Sequence, residues 1–206
     1  MKNPWEEIEL SDYENHMQLD SVMQLQELNK MMQYQLNTYP VKTIMILGIA
    51  GGNGLEYVDT KLIKKVYGVD INKDYLTAVK QRYGDLDGCL ECLCLDLLED
   101  YQHLPSSELL IADLLIEYIG YPCFKQIIKQ VSPTYVSCII QISMAENWVS
   151  NSPYSSTFDQ LDSIHHQIDA TTLTKMMQEL KFTVIKTLEY PLPNKKKLVQ
   201  LDFKRI

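Results

Sequence analysis

The sequence predicts an α/β fold: a doubly wound, mostly parallel seven-stranded sheet with a C-terminal antiparallel hairpin strand, preceded by N-terminal helices. Three observations lead to this prediction. Short apolar runs alternate with segments of helical length, the last third of the chain changes to an alternating apolar and polar pattern, and an apolar stripe with helical spacing precedes the first run.

Five apolar runs are predicted to be strands that are buried on both faces, because such strands lack the alternation of half-exposed ones. The runs cover residues 43–50, 66–71, 90–95, 109–113 and 135–141. The segments 54–64, 73–83 and 115–131 lie between them and have the length of helices. Strands that alternate with helices in this way favour a parallel sheet.

The last third of the chain predicts a helix followed by a hairpin. Four apolar residues follow helical spacing, namely Leu173, Met176, Met177 and Leu180. Residues 182–190 then read as a strand and 191–195 as a turn. Apolar residues alternate with polar ones over 199–203, which completes a hairpin at the end of the sheet.

Residues 1–40 are predicted to form a helical extension, and residues 41–206 the main domain. The extension carries an apolar stripe at Val22, Leu25, Leu28, Met32 and Leu36 that ends before Pro40. Ser11 and Glu14 have the spacing of a capping box, which favours a helix that begins near Ser11. We expect the polar and aromatic piece before the stripe to act as a lid over a ligand.

The composition is that of a globular protein and argues against several classes of partner. The 206 residues are 46% hydrophobic and 22% charged, with a formal net charge of −8. Nucleic acids and anionic membranes attract basic surfaces, so we expect neither as a partner. No stretch approaches the ~20 apolar residues of a membrane span, and no apolar leader follows Met1, so we expect a cytoplasmic protein. The oligomeric state stays open.

The cysteines do not predict a metal site. Cys89, Cys92 and Cys94 include one C-x-x-C spacing, but no second pair follows at zinc-finger distance. Residues 90–95 read better as a strand in which cysteine fills small positions. We therefore expect no bound metal and five free thiols in a reducing compartment.

The segment 46–54, Ile-Leu-Gly-Ile-Ala-Gly-Gly-Asn-Gly, is the most informative stretch. A glycine turn between a buried strand and a helix allows a ligand to approach the backbone and the unpaired N–H groups of the helix. Asp70 ends the second strand 22 positions after Gly48 (70 minus 48), where a carboxylate can accept both hydroxyls of a ribose. These features together predict a nucleoside-containing cofactor.

The glycine pattern distinguishes between cofactors. The dinucleotide pattern G-x-G-x-x-G fails in every register of this stretch. The stretch resembles instead motif I of the class I S-adenosylmethionine-dependent methyltransferases, acidic-x-G-x-G-x-G. In that alignment Gly48 stands at the acidic position, Ala50 at the first glycine, and Gly52 and Gly54 at the last two.

The resemblance covers residues 43–206 and implies a Rossmann-like methyltransferase domain that binds S-adenosylmethionine. Residues 68–71 resemble motif II, which implies Asp70 on the ribose and Ile71 against the adenine. Residues 95–97 resemble the contact with the adenine amino group, and residues 112–115 resemble motif IV beside the reactive methyl. The implied cofactor-binding residues are Gly48, Ala50, Gly52, Gly54, Asp70, Ile71, Asp96, Leu97 and Asp113.

The reaction that the resemblance implies is methyl transfer to a small-molecule acceptor, by in-line displacement at the sulfonium methyl. Glu117 and Tyr118 follow motif IV by about one helical turn and are the first candidates for contact with the acceptor. His166 is a candidate base. Adjacent histidines on a helix point about 100° apart, so we expect at most one of His165 and His166 to face a pocket.

Two further segments are expected to complete the acceptor pocket. The segment 143–166 follows the fifth strand and holds Glu146, Asn147 and Trp148. Tyr13 and His16 are three residues apart and share a helical face, so both can contribute to the lid.

Two alternatives stay open. The same fold supports aminopropyl transfer from a decarboxylated cofactor. The acid that is missing from motif I is one group expected to bind the amino-acid end of the cofactor, so its absence keeps this alternative open. A non-catalytic module that binds S-adenosylmethionine is the other alternative.

Overall fold

The computed structural model describes residues 3–143, 149–150, 152–193 and 195–206. Its centre is a seven-stranded sheet with the order β3-β2-β1-β4-β5-β7-β6. The first five strands are parallel, and β7 runs antiparallel between β5 and β6. The predicted α/β fold with its C-terminal hairpin is confirmed.

The elements follow the apolar runs of the sequence closely. The strands are β1 Thr43–Leu47, β2 Lys65–Asp70, β3 Leu90–Cys94, β4 Leu109–Asp113, β5 Tyr135–Ser143, β6 Phe182–Leu192 and β7 Lys196–Arg205. The helices are α1 Leu10–Gln18, α2 Gln24–Thr38, α3 Lys73–Arg82, α4 Leu97–Asp100, α5 Ile116–Val131 and α6 Ala170–Glu179.

The sheet is covered on both faces, because successive residues of its central strands point to opposite sides. On β1, Ile44 and Ile46 pack with residues of α2 and α3, whereas Met45 and Leu47 pack with residues of α5 and α6. All four are at most 3% exposed. This double burial explains why the strand sequences are apolar throughout.

The parallel register places three strand ends side by side. Leu47 at the end of β1 pairs with Val69 of β2 and with Ala112 of β4. The next residues, Gly48, Asp70 and Asp113, therefore share one edge of the sheet. Ligands of open α/β sheets bind at this carboxyl edge.

The predicted helix over residues 54–64 is wrong. Only Leu55–Tyr57 forms a short 3-10 turn there, and Val58 after it is extended. The carboxylate of Asp59 accepts the backbone N–H of Lys61 at 2.9 Å, a local hydrogen bond that competes with helix formation. The loop after β1 therefore lacks the predicted helix.

The N-terminal segment consists of two helices, since Met23 adopts a left-handed conformation between them. The predicted capping box is wrong: α1 begins at Leu10 after Glu9, and no side chain caps it. Glu14 instead forms an ion pair with Arg82 of α3. The boundary between residues 40 and 41 stays a prediction.

Helix α5 is interrupted near its start. Gly120 has φ 69° and ψ 166°, and Pro122 follows it. The first turn, which carries Glu117 and Tyr118, is thereby separated from the rest of the helix. Among the described residues, no helix is both long enough and apolar enough to cross a membrane.

Candidate functional site

A cavity lies at the carboxyl edge of the sheet, and we call it the strand-end cavity. Its volume is about 90 Å³. Most of the predicted cofactor-binding residues line it, namely Gly48, Ala50, Asp70, Ile71, Asp96, Leu97 and Asp113. The N-terminal segment closes it with Asn3, Trp5 and Tyr13.

Asp70 fixes the loop that follows β1. One carboxylate oxygen accepts the backbone N–H of Ala50 and the other that of Asn72, each at 2.9 Å. Burial raises the pKa of Asp70, and the hydrogen bonds from Asn72 and Ala50 oppose this effect. A carboxylate has about four lone-pair sites, so Asp70 retains capacity for hydroxyl donors.

Other polar groups of the strand-end cavity wall lack a full set of partners. Among the described residues, the hydroxyl of Tyr75 and Oδ2 of Asp113 are buried without a hydrogen-bond partner. Asp96 accepts the backbone N–H of Leu98 with Oδ1 at 2.9 Å. Buried polar atoms without partners are rare in proteins, and a polar ligand would satisfy them. The residues present thus fit a nucleoside with an amino-acid end.

Asp113, whose Oδ2 has no hydrogen-bond partner among the described residues, also has a strongly raised pKa. Burial raises its pKa to about 8, and the charges of Asp202 and Glu117 add to the increase. Gln35 opposes it by donating to Oδ1 at 2.9 Å. A cation beside Asp113 would stabilise its ionised form.

Gly52 and Gly54 lie apart from the cavities. A Cβ on Gly52 would stand 2.7 Å from the ring of Tyr83, and one on Gly54 would overlap the side chain of Met32. Both glycines have positive φ, 81° and 92°. These close approaches show that both glycines allow the loop to pack tightly against its neighbours. Their contact with a cofactor stays a prediction.

A second and larger cavity, which we call the wide cavity, adjoins the first. Its volume is about 460 Å³, within the usual range for small-molecule sites. Trp5, Tyr13, Leu114 and Tyr118 line both cavities. Leu114 has φ 53°, and backbone strain of this kind often occurs at functional sites.

Glu117 belongs to the wall of the wide cavity and is only 5% exposed. Oε1 accepts the backbone N–H of Gln141 at 2.9 Å. Oε2 is buried and has no hydrogen-bond partner among the described residues. Burial raises the pKa of Glu117 to about 7, which suits a group that exchanges a proton near neutral pH.

Aromatic rings form the corner where the two cavities meet. The ring of Trp5 lies edge-on to Tyr118 at 4.9 Å and to Tyr13 at 5.9 Å between centroids. Tyr118 in turn lies edge-on to His165 at 6.0 Å. Ring faces attract cations, so this corner suits a positively charged group.

The histidines occupy different parts of the wide cavity. His16 is buried, its Nδ1 lies 2.7 Å from Oγ of Ser152, and burial lowers its pKa to about 4. His165 and His166 both line the cavity. The expectation that only one of them faces a pocket is wrong, because the 3-10 segment ends at Ser163 and neither residue lies on a helix.

The backbone of His166 also holds the acidic turn of α5 in place. Its N–H donates to the carbonyl oxygen of Glu117 at 2.6 Å, although its side chain is exposed. The assignment of His166 as a base stays a prediction. Glu146, Asn147 and Trp148, also expected in this region, lie outside the described residues.

A third cavity of about 50 Å³ lies on the other side of the loop. Glu14 and Gly51 line it, together with Asp113. Arg82 donates both to Glu14 and, at 3.1 Å, to the carbonyl oxygen of Gly51. An acidic side chain thus stands beside this loop, although Gly48 replaces the acid of motif I.

Tyr75 lines the strand-end cavity and Gln141 the wide cavity, although the sequence predicts a role for neither. Tyr75 lies on the buried face of α3, where its spacing indicates core packing and nothing indicates a free hydroxyl. Gln141 ends the apolar run of β5 and accepts a hydrogen bond from Gln24 of α2. Among the described residues, no group of three or more His, Cys, Asp or Glu side chains is placed to hold a metal ion.

The chain is similar to known proteins in its fold but not in its sequence. No protein-family model matches the chain, and no curated protein matches it by sequence. By structure it is similar to the N-methyltransferase NodS from Bradyrhizobium japonicum WM9 in complex with S-adenosyl-l-homocysteine. The TM-score is 0.66 at 12% identity, over 99% of each chain.

Two other solved structures are similar over most of their length. Magnesium protoporphyrin IX methyltransferase (ChlM) from Synechocystis PCC 6803 with bound SAM gives a TM-score of 0.59 at 11% identity, over 89% of this chain and 79% of that one. Geranyl diphosphate methyltransferase in complex with SAM gives 0.64 at 10% identity, over 87% and 85%. The fold is therefore that of the class I S-adenosylmethionine-dependent methyltransferases.

Proposed function

We propose that this protein, which has the class I methyltransferase fold, transfers a methyl group from S-adenosylmethionine to a small-molecule acceptor. The observation that carries the proposal is the junction of two cavities. The strand-end cavity is lined by most of the residues that the motifs assign to the cofactor, and it meets the wide cavity at Trp5, Tyr13, Leu114 and Tyr118. A cofactor on one side and an acceptor on the other would meet at this junction.

The cofactor would be held by groups whose chemistry matches its ribose, its adenine and its cationic end. Asp70 would accept ribose hydroxyls, Ile71 and Leu97 would border the adenine, and Oδ2 of Asp113 would face the cationic end. When bound, S-adenosylmethionine supplies a methyl group on a sulfonium. The solved structures of similar fold with bound SAM or S-adenosyl-l-homocysteine support this choice of cofactor.

The strand-end cavity must widen to admit this ligand. Its volume of about 90 Å³ is below the usual 300 Å³ or more of small-molecule sites. Asn3, Trp5 and Tyr13 form its N-terminal wall, and the side chain of Asn72 donates to the carbonyl oxygens of Trp5 and Ile8. We infer that this wall moves outward on binding and closes over the cofactor, as a lid does.

Isothermal titration calorimetry of the full chain tests the proposal. S-adenosylhomocysteine and S-adenosylmethionine are expected to bind, and decarboxylated S-adenosylmethionine to bind more weakly. Stronger binding of the decarboxylated compound would favour aminopropyl transfer. Absence of binding to all three would refute the proposed function, and binding without methyl transfer to any of a broad metabolite set would favour a non-catalytic module.

A further inference from the structure

Glu117 belongs to the wall of the wide cavity, and the cofactor does not explain the role of its buried carboxyl group. Glu117 lines the wide cavity but not the strand-end cavity. Its Oε2 has no hydrogen-bond partner among the described residues, while Oε1 is fixed by Gln141. A buried carboxylate oxygen is costly unless a donor or a cation meets it. Because the cofactor is assigned to the other cavity, the acceptor is the ligand that could supply this partner.

The charges around the wide cavity favour a cation as the partner. Its described wall contains no Lys or Arg, and its acidic residues are Glu117 and Asp169. Asp169 is exposed and already caps α6. Burial holds the pKa of His16 well below neutral pH, so its ring adds no charge. Lys196 does not line the wide cavity, and its amine donates a hydrogen bond to Oγ of Ser150 at 2.9 Å.

The rings at the junction favour the same kind of group. The ring of Trp5 stands nearly perpendicular to those of Tyr13 and Tyr118, at 78° and 83°. Tyr118 is next to Glu117 in the chain, and all three rings line the same cavity as Glu117. Aromatic faces together with a carboxylate are the chemistry that binds ammonium ions. An alcohol or a carboxylic acid would gain little from the rings, and a carboxylate would be repelled by Glu117.

We propose that the acceptor is a primary or secondary amine, bound as its ammonium ion in the wide cavity against Glu117, which takes one proton from it. This inference rests on the proposed function. Loss of the proton leaves a neutral nitrogen with a free electron pair. That pair forms the new N–CH3 bond while the C–S bond breaks and its electrons stay on sulfur. The positive charge passes from sulfonium to ammonium, and the proton on Glu117 leaves to solvent.

Proton removal by Glu117 also solves an electrostatic problem. An ammonium ion and a sulfonium at methyl-transfer distance repel each other, and a protonated nitrogen has no electron pair for the displacement. The buried carboxylate attracts the ammonium ion first and then removes its charge. Glu117 would thus touch the acceptor and act as a catalytic base.

Matched probes test the acceptor class on the full wild-type chain. Phenethylamine, phenethyl alcohol and hydrocinnamate share one skeleton, and hexylamine, hexanol and hexanoate share another. Binding is measured by saturation-transfer NMR and calorimetry after loading with S-adenosylhomocysteine. We expect the amines to bind more tightly than their alcohols and acids. Equal or weaker binding of the amines would overturn the inference.

Glu117→Gln tests the residue, and Glu91→Gln on the exposed edge strand is the matched control. We expect about tenfold to hundredfold weaker amine binding in Glu117→Gln, with S-adenosylhomocysteine affinity and the melting temperature retained or raised. The control should bind like the wild type. Unchanged amine affinity in a folded Glu117→Gln chain would contradict the inference.

Transfer of label from methyl-labelled S-adenosylmethionine separates the two proposals. Label in the amines supports both. Label in the alcohols or acids alone would keep the proposed function and refute the amine. If S-adenosylhomocysteine itself does not bind, the proposed function fails and the amine inference fails with it.

Discussion

Glu117 is expected to destabilise the folded chain in the absence of ligand, and Glu117→Gln measures by how much. Burial raises the pKa of Glu117 from 4.5 to about 7, and one pKa unit corresponds to about 1.4 kcal/mol. The ionised carboxylate therefore costs the folded state up to about 3 kcal/mol at high pH. Water in the wide cavity reduces this cost, so we expect a gain of about 1 to 3 kcal/mol on substitution.

The sign of the effect follows from the direction of the pKa change. Below pH 4.5 the carboxyl group is protonated in both folded and unfolded chains, and it costs nothing. As the pH rises through about 7, the stability of the wild type decreases relative to the variant. The pKa of Asp113 is also raised, to about 8, by burial and in part by the charge of Glu117. Glu117→Gln removes that charge, so it lowers the pKa of Asp113 and adds to the stability gained at high pH.

Urea denaturation followed by circular dichroism measures this difference at several pH values. The free energy of unfolding of Glu117→Gln should exceed that of the wild type at about pH 8.5, and the two should converge near about pH 4.5. Glu91→Gln, whose native side chain is 47% exposed and pairs with Lys65 at the surface, should show only a small difference of the opposite sign, because loss of a surface ion pair lowers stability slightly. A difference that does not change with pH, or a variant less stable throughout, would refute the reasoning.

Three other predictions concern the loop and the N-terminal segment. Gly54→Ala should lower the free energy of unfolding by about 2 to 4 kcal/mol in urea denaturation, because φ is 92° and the new Cβ would overlap Met32. Gly84→Ala is the control and should change the free energy of unfolding little, because its new Cβ would meet no atom within 4 Å apart from its chain neighbours. Asp70→Ala should remove two backbone hydrogen bonds and weaken S-adenosylhomocysteine by about 1 to 3 kcal/mol in calorimetry, and unchanged affinity would refute its role on the ribose. Deletion of residues 1–18 should weaken S-adenosylhomocysteine by about tenfold or more, whereas unchanged affinity and turnover would refute the lid.

The strands and their ends were predictable because a strand that is buried on both faces is an uninterrupted run of apolar residues in the sequence. Residues such as Ile44 and Met45 face opposite sides of the sheet, and both must be apolar. Parallel pairing then brings the residues after the strands together, so Asp70 and Asp113 meet at one cavity. These placements need only the strand assignment and the pairing rule.

The features that the sequence did not predict depend on distant contacts or local backbone geometry. The segment 54–64 has helical length, but Asp59 closes a turn and the loop packs against α2, which precedes β1 in the chain. The free hydroxyl of Tyr75 follows from what surrounds it in three dimensions. The two histidines share a cavity because their backbone is irregular. A pattern of residue types contains none of these facts.

Helix α2 takes over the support of the loop that a helix after β1 would otherwise give. The side chain of Asn29 donates to Asn53 at 2.8 Å and to Glu56 at 2.7 Å, and it accepts the hydroxyl of Tyr57 at 2.8 Å. Gly54 packs closely against Met32 of the same helix. The loop and α2 therefore depend on each other.

This dependence limits the lid to the part of the chain before α2. Trp5 and Tyr13 reach the cavities from that part, and the ion pair between Glu14 and Arg82 holds it to the loop. Removal of α2 would take away the partners of Asn53 and disrupt the loop itself. A loss of affinity after such a deletion would carry no information about closure. The deletion that tests closure must therefore end before Gln24, where α2 begins.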